Sequence, residues 1–217
     1  ELNALPDGSI LAGGKNPDSD VYSVTVSGGP NRIRAFRVEA LPHESLPRQG
    51  PGRYESNGNF RMFEFRVYSG TEPVVLNSAE ATYDERDQSE KLIDGLNAGL
   101  GWCIDGRQGR RSWVVLTSDL QRSPNDQLRI EIDQTSEVYK KYNLGSFRLS
   151  ATDDVGAAAH ARLYSAFKLD ELVNLDIALG KAFAANRINE RAAASFARAL
   201  EQTETSAHRD SILSDLT

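Results

Sequence analysis

Residues 63–67 read Phe-Glu-Phe-Arg-Val, with apolar residues at 63, 65 and 67 and charged residues at 64 and 66. Alternation with a period of two places the apolar side chains on one face of an extended strand. Clusters of turn-forming residues, such as Gly-Gly-Pro-Asn at 28–31, separate such runs. The same pattern recurs at Tyr22, Val24 and Val26; Phe36, Val38 and Ala40; Trp113, Val115 and Thr117; Leu128, Ile130 and Ile132; and Phe147 and Leu149.

Each of these strands has an apolar face that must be covered. Many short strands joined by Gly, Pro and Asn turns bury such faces by packing one sheet on another. The pattern therefore predicts a mainly β fold, an antiparallel β-sandwich over about residues 4–152, within a first domain of residues 1–153.

Composition excludes several classes of protein. The 217 residues hold 25 Lys and Arg against 31 Asp and Glu, a formal net charge of −6, which argues against a duplex nucleic-acid binder. A single cysteine, Cys103, cannot form an internal disulfide or a cysteine-based zinc site. No apolar run approaches the length of a membrane span. Because the chain begins at Glu1 rather than Met, we expect it to be part of a longer, multidomain protein.

The composition changes near residue 155, and the second domain, residues 160–217, is predicted to be helical. Apolar residues recur there at the helical period in two stripes, separated by Asn-Arg-Ile-Asn at 186–189. The pair resembles a truncated tetratricopeptide repeat, although Asp176 and Glu204 depart from the family pattern. An ordinary alanine-rich helical hairpin is the alternative. The resemblance rests on Leu179, Gly180, Phe183, Ala192, Phe196 and Ala199.

The longest irregular stretch, residues 41–59, is the first candidate for a binding site. Loops of this length are often functional in compact domains. Side chains able to bond a hydroxyl-rich ligand stand at Arg53, Asn57 and Asn59, and Tyr54 offers an aromatic face for a sugar ring. The alternative is that Arg53 and the two asparagines only tie the loop to its own backbone.

Four segments resemble the galactose-binding-like jelly-roll module of large planctomycete multidomain proteins. Those proteins include cytochrome c-containing surface proteins and chains that continue into tetratricopeptide repeats. The resemblance implies a jelly-roll fold and a non-catalytic accessory role; the ligand is not implied. The sequence does not fix the location of the protein, and a place outside the cell or at its surface is favoured. The segments are LPDGSILAGGKNPDSDVYSV at 5–24, FRVEALPHESLPRQGPGRYESNGNFRMFEFRV at 36–67, EKLIDGLNAGLGWCID at 90–105 and LGSFRLSAT at 144–152.

Structural calcium is a further expectation, at either of two places. Asp94 and Gly95 followed by Trp102 are similar to the Asp-Gly…Trp element of discoidin-type sandwiches, although Leu100 replaces the usual Thr. Calcium takes six to eight oxygen ligands. Acidic turn residues that are simply solvated are the alternative. The other place, and the first along the chain, is the oxygen-rich cluster of Asp7, Asn16, Asp18 and Asp20.

The only dense basic cluster holds Arg107, Arg110 and Arg111, on a predicted hairpin tip. Three arginines there suit carboxylate or sulfate groups of acidic polysaccharides. The alternative is a solvated turn that opposes aggregation at a sheet end. Trp102 and Trp113 lie in predicted strands, which favours core packing over sugar stacking.

No enzyme template fits the sequence. Cys103 stands in an apolar run and is predicted to be a buried thiol, and no phosphate-binding glycine loop is present. The sequence therefore favours a non-catalytic module that binds carbohydrate or another surface ligand. The alternatives are a structural module that recruits a protein through its helices, and a glycan-active enzyme with two carboxylates across a cleft.

Overall fold

The computed structural model describes residues 1–86, 88–96, 101–105, 109, 111–123, 125–159, 161 and 172–201. The chain divides into two compact units, Glu1–Arg162 and Leu163–Thr217, which are described separately below. In the described part of the chain, no helix is both long and apolar enough to cross a membrane.

In the described residues of the first unit there are ten strands and two short 3-10 helices, at Pro47–Gln49 and Ser89–Ile93. The strands are β1 (Leu2–Ala4), β2 (Ile10–Ala12), β3 (Val21–Val26), β4 (Arg32–Ala40), β5 (Glu64–Ser69), β6 (Glu72–Pro73), β7 (Leu76–Ala81), β8 (Ser112–Gln121), β9 (Leu128–Asp133) and β10 (Ser146–Thr152).

The strands form two antiparallel sheets. One has the order β1-β2-β10-β4-β8-β7 and the other β3-β9-β5-β6. In the second sheet, Phe65 of β5 and Tyr22 of β3 both lie opposite Ile132 of β9. Since side chains alternate between faces, this register puts all three residues on the same side of the sheet.

The core lies between the two sheets, as the alternating sequence predicts. Phe36 of the first sheet lies against Phe65 of the second, with ring centroids 6.4 Å apart. Tyr22 stacks on Phe147 across the same interface at 5.9 Å, and its hydroxyl donates to the Leu144 carbonyl at 2.8 Å. The first unit is therefore an antiparallel β-sandwich, and the prediction of its class is confirmed.

The strand registers bring four connecting segments to one end of the sandwich. In the second sheet, β3 and β5 begin opposite the residue where β9 ends, Asp133. In the first sheet, Ala40 ends β4 and lies opposite both Phe147, the second residue of β10, and Ser112, the first residue of β8. Residues 13–20, 41–63, 82–111 and 134–145 therefore connect strands at the same end, which we call the loop end.

The part of the second unit that the structure describes, residues 172–201, forms the helices α1 (Leu172–Ala185) and α2 (Asn189–Glu201). The helices approach closely at Gly180, where a Cβ atom would lie 2.5 Å from Cε1 of Phe196. Arg187, in the connection, has a positive φ of 59°. The buried side chains of this pair include Leu179, Phe183, Ala192, Ser195 and Phe196.

Candidate functional site

Asn143 holds three segments of the loop end together. Its side chain is fully buried, and its Nδ2 donates to the Asn16 side-chain oxygen at 2.8 Å and to the Pro17 carbonyl at 2.7 Å. Asn16 in turn donates to the carbonyls of Arg53 and Lys141, each at 3.0 Å. These bonds fix the segment around Arg53 beside the segment that leads to Tyr142.

Three tyrosines form an aromatic cluster on this frame. Tyr54 and Tyr142 stack with centroids 3.8 Å apart and planes inclined by 16°. Tyr139 meets Tyr142 edge-on, at 5.8 Å and 86°. All three rings are half-buried, so each retains some contact with solvent. Phe63 lies beside the cluster, with its ring centroid 6.3 Å from that of Tyr139.

Arg61 packs against two of these rings, those of Tyr139 and Tyr142. Its guanidinium carbon is 4.1 Å from the Tyr139 centroid and 6.0 Å from that of Tyr142, within the range of cation–π attraction. The side chain is buried, and its charge is balanced by Glu85, 3.7 Å away. Glu85 also accepts from the Cys103 thiol at 3.1 Å and pairs with Arg86 at 2.8 Å.

Asn57 and Asp105 stand beside the tyrosines. Asn57 Nδ2 donates to Asp105 Oδ1 at 3.1 Å, and the Asp105 carbonyl accepts from the Tyr83 hydroxyl at 3.0 Å. Burial raises the pKa of Tyr142 to about 12, helped by the hydroxyl of Tyr54 and the negative charge of Asp105, and Arg61 opposes the rise. The phenol of Tyr142 is therefore neutral at physiological pH.

Of the four predicted residues of the long loop, two lie in this cluster. Tyr54 and Asn57 take part in it directly. Arg53 instead turns its Nη2 to the Gly14 carbonyl at 2.5 Å and ties two loops together.

Asn59 does not face a ligand, contrary to expectation. The residue is 1% exposed, and its Oδ1 accepts from the backbone N–H groups of Phe60, at 2.9 Å, and Ile104, at 3.3 Å. A buried asparagine that satisfies two backbone donors holds the loop in place. One of these donors, Phe60, is the next residue of the chain and the other, Ile104, belongs to a different connecting segment, so Asn59 joins the two segments.

Arg111 lies away from this cluster. Its Nη2 is 2.9 Å from Glu39 Oε1, and its guanidinium carbon is 5.2 Å from the Trp113 ring centroid. Glu39 and Trp113 are paired residues of β4 and β8, on the face of the first sheet turned away from the core. Arg107 and Arg110 lie outside the described residues.

The two tryptophans have different roles. Trp102 is fully buried in the core, and its indole N–H donates to the Tyr83 carbonyl at 2.8 Å. Trp113 is 8% exposed and covers the outer face of the first sheet rather than the core. Neither offers an open aromatic face to a sugar.

The first predicted calcium cluster is spread over separate contacts. Asp7 accepts from the Ser9 hydroxyl at 2.6 Å and pairs with Arg148 at 3.0 Å. Asp18 lies 3.7 Å from the Lys140 ammonium, and Asp20 caps the N–H of the next residue, Val21, at 2.9 Å. The oxygen of the Asn16 side chain accepts from Asn143.

The second predicted calcium position forms an ordinary turn. Asp94 Oδ1 accepts from the Leu96 N–H at 2.9 Å, Oδ2 lies 3.6 Å from the Lys91 ammonium, and Gly95 has a φ of 74°. Within the described residues, no group of three or more acidic, cysteine or histidine side chains is placed to hold a metal ion.

Sequence reasoning missed Arg61, Glu85, Tyr139 and Tyr142. Residues 139–142, Tyr-Lys-Lys-Tyr, carry the one signal that could have found two of them, because paired tyrosines stand there between the β9 and β10 strands. Arg61 sits within an apolar run and gives no such signal. Only the pairing of distant loops places these residues beside Tyr54.

The fold and the cluster define a two-sheet antiparallel β protein whose loop end carries aromatic, amide and charged side chains. No protein-family model, no curated protein and no solved structure matches this chain.

Proposed function

We propose that the first unit is a non-catalytic carbohydrate-binding module and that the loop end is its binding surface. The observation that carries the proposal is the stacked Tyr54–Tyr142 pair, with Tyr139 and the Asn57–Asp105 pair beside it. Aromatic rings pack against the C–H groups of a sugar ring, and amide and carboxylate groups bond its hydroxyls. The internal hydrogen bonds of the frame hold these groups in place before a ligand arrives.

The strand order supports the finer assignment of a galactose-binding-like jelly roll. A jelly roll consists of two four-stranded antiparallel sheets that exchange strands through two Greek keys. Leaving out β1 and β7, the chain has the orders β2-β10-β4-β8 and β3-β9-β5-β6. Apart from the β5–β6 pair, which stays within one sheet, successive strands of this set alternate between the two sheets, as in a jelly roll.

The chemistry of the loop end favours binding over catalysis. Burial and the hydrogen bond to Glu85 raise the pKa of the Cys103 thiol to about 12, which leaves it a poor nucleophile. Tyr142 likewise keeps its proton.

The experiment is calorimetric titration of the whole chain against a panel of neutral and acidic oligosaccharides, with calcium present. Tyr142→Ala removes one member of the stack and should weaken binding by roughly tenfold or more. Tyr68→Ala is the matched control, because Tyr68 is also half-buried and has the Arg129 guanidinium 3.9 Å from its ring, far from the loop end. Absence of binding across the panel, or equal losses in both variants, would contradict the proposal.

The second candidate is a structural or protein-interaction module in a longer protein. It is favoured by the side chains of Arg53 and Asn59, which bond backbone groups of the loop end and so support the loops themselves. The close packing at Gly180 and Phe196 supports a tetratricopeptide-like helical pair that recruits a protein. This candidate predicts that no oligosaccharide binds and that residues 172–201 carry the interaction.

A further inference from the structure

We propose that the open edge of β3 pairs with β3 of a second copy of this chain, so that the β3-β9-β5-β6 sheets of two molecules join into one antiparallel sheet. The proposal goes beyond carbohydrate binding and does not depend on it. It follows from a comparison of the sheet edges and from the hydrogen-bonding groups that β3 leaves open.

Among the described strands, four lie at a sheet edge, and three of these carry features that hinder pairing with another chain. β1 has three residues, β6 has two and ends in Pro73, and β7 has a shift in its register with β8 and lies against the 3-10 helix at Ser89–Ile93. Short strands, proline, bulges and covering elements are the usual means by which proteins block an edge. β3 instead holds six residues, Val-Tyr-Ser-Val-Thr-Val, in unbroken register with β9, and none of them is charged or a proline.

The register shows which backbone groups of β3 face the open edge. The Gln134 N–H donates to the Asp20 carbonyl at 3.0 Å, so these two residues form a hydrogen-bonded pair that continues the β3–β9 register. Hydrogen-bonded pairs alternate along an antiparallel ladder. The even-numbered residues of β3 therefore bond β9, and the odd-numbered ones, Val21, Ser23 and Thr25, direct their N–H and C=O groups outward.

Two of these outward N–H groups are available to a partner. The N–H of Val21 already donates to the Asp20 side chain at 2.9 Å. Ser23 and Thr25 are exposed, and no hydrogen bond within the described part of the chain uses their N–H groups. The Val26 side chain, at the end of the same strand, is 37% exposed. Free backbone groups beside an apolar side chain are what a strand offers when it accepts another strand at its edge.

A second copy of β3 uses these groups in one symmetric register. Ser23 of each copy lies opposite Thr25 of the other, which makes four backbone hydrogen bonds and needs no donation from Val21. The pairing is the same in both directions, as in a closed two-fold dimer. Since β3 has no charged residue, its self-pairing brings no like charges together.

The same register also covers apolar side chains. Val24 lies opposite Val24 of the second copy, and Val26 lies opposite Tyr22, all on the core side of the sheet. The neighbouring symmetric register, centred on Ser23, places Val26 opposite Asp20 instead, and it requires the Val21 N–H that Asp20 already accepts. The register centred on Val24 is therefore the one we propose.

The test compares two double variants of the 217-residue chain that place the same number of charged side chains on the edge. In Ser23→Lys/Thr25→Lys, each new lysine lies opposite a lysine of the second copy, whereas in Ser23→Lys/Thr25→Glu each lysine lies opposite a glutamate. Like charges directly opposite weaken strand pairing, and opposite charges strengthen it. Thermal unfolding checks that both variants are folded.

Sedimentation velocity measures dimerisation from roughly 10 μM to 1 mM, because an edge contact is small and small interfaces are weak. We expect the chain itself to dimerise in this range, and the lysine–lysine variant to dimerise on the order of tenfold more weakly than the lysine–glutamate variant. Hydrogen exchange of the chain without substitutions, followed by NMR, needs no variant. The amides of Ser23 and Thr25 should exchange more slowly at high concentration, while those of β1 and β6 should not change.

Three outcomes overturn the proposal. The first is a chain that stays monomeric at all concentrations, with exchange at Ser23 and Thr25 independent of concentration. The second is slow exchange of these amides in a monomer, which means that the edge is covered from within the same chain. The third is dimerisation that both double variants change equally, which places the contact elsewhere. No sugar is present in these measurements, so their failure leaves the carbohydrate proposal to its own titration.

Discussion

Glu39 is a fully buried carboxylate on the outer face of the six-stranded sheet, and three arginines surround it. Arg37 and Arg148 lie 3.2 Å and 3.7 Å from Oε2, and Arg111 lies 2.9 Å from Oε1. They come from β4, β10 and the residue before β8, so one carboxylate links three neighbouring strands. The arginines themselves are partly exposed, so solvent screens their attraction to Glu39 and limits its contribution to the free energy of unfolding.

Glu39→Gln should lower the free energy of unfolding by about 1–3 kcal/mol, because it leaves three neighbouring cations without their shared counter-ion. Asp119→Asn is the control, since Asp119 is exposed and solvent screens its bond to Arg32, at 2.9 Å, so its loss should be smaller than that of Glu39→Gln. Urea denaturation measures both. Equal losses would show that the burial of Glu39 adds nothing to the interaction.

Cys103 provides a second residue-level prediction. Its pKa in the folded chain, about 12, lies above the ordinary value of 9.0, so the native state keeps a proton that the unfolded state loses. The free energy of unfolding should therefore be insensitive to this group below about pH 9 and fall as the pH rises from 9 towards 12. Cys103→Ala should remove this decrease in the free energy of unfolding above pH 9, which denaturation at a series of pH values measures.

The thiol should also react slowly in the native chain at pH 8, and rapidly after unfolding, with a thiol-specific reagent. Glu85→Gln removes a negative charge that raises the pKa of the thiol, so the native reaction should accelerate. Native and unfolded chains that react at the same rate would mean that the thiol is not protected.

At the scale of elements, backbone hydrogen bonds between its own residues hold the loop at 41–59 in shape. Gly52 donates to the Gly58 carbonyl at 2.9 Å, and Gly58 donates to the Tyr54 carbonyl at 2.8 Å. Gly58 has a φ of 72°, and a Cβ there would lie 2.1 Å from the Pro47 carbonyl oxygen. The loop therefore needs glycine at this position both for its backbone angle and for space.

Gly58→Ala should destabilise the first unit by more than about 2 kcal/mol, because the steric conflict adds to the backbone strain. The control is Gly70→Ala, since Gly70 has a similar φ of 61° but no atom within 4 Å of its Cβ position. That change should cost only about 1 kcal/mol. Thermal unfolding compares the two, and similar shifts in Tm would contradict the tight packing of the loop.

At the scale of the whole molecule, the alternation of apolar and polar residues predicts the two-sheet sandwich, because the apolar face of each strand must be covered. The same local patterns do not predict which residues form the proposed binding surface. Tyr54 and Asn57 were predicted to bind a ligand because they lie in the unusually long, glycine-rich loop. Asn59 lies in the same loop and met the same criterion, but its side chain is buried. Trp113 alternates like a core residue, yet its register places it on the outer face of the sheet.

The sequence by itself determined the alternation of 63–67 and its counterparts, the loop at 41–59 and the change of composition near residue 155, since each is set by neighbouring residues. Only the tertiary structure decided that Tyr142 stacks on Tyr54 and that Arg61 packs against Tyr139. Those contacts join residues from two separate connecting segments of the loop end. Their meeting depends on strand register, which follows from the packing of both sheets at once rather than from any local pattern.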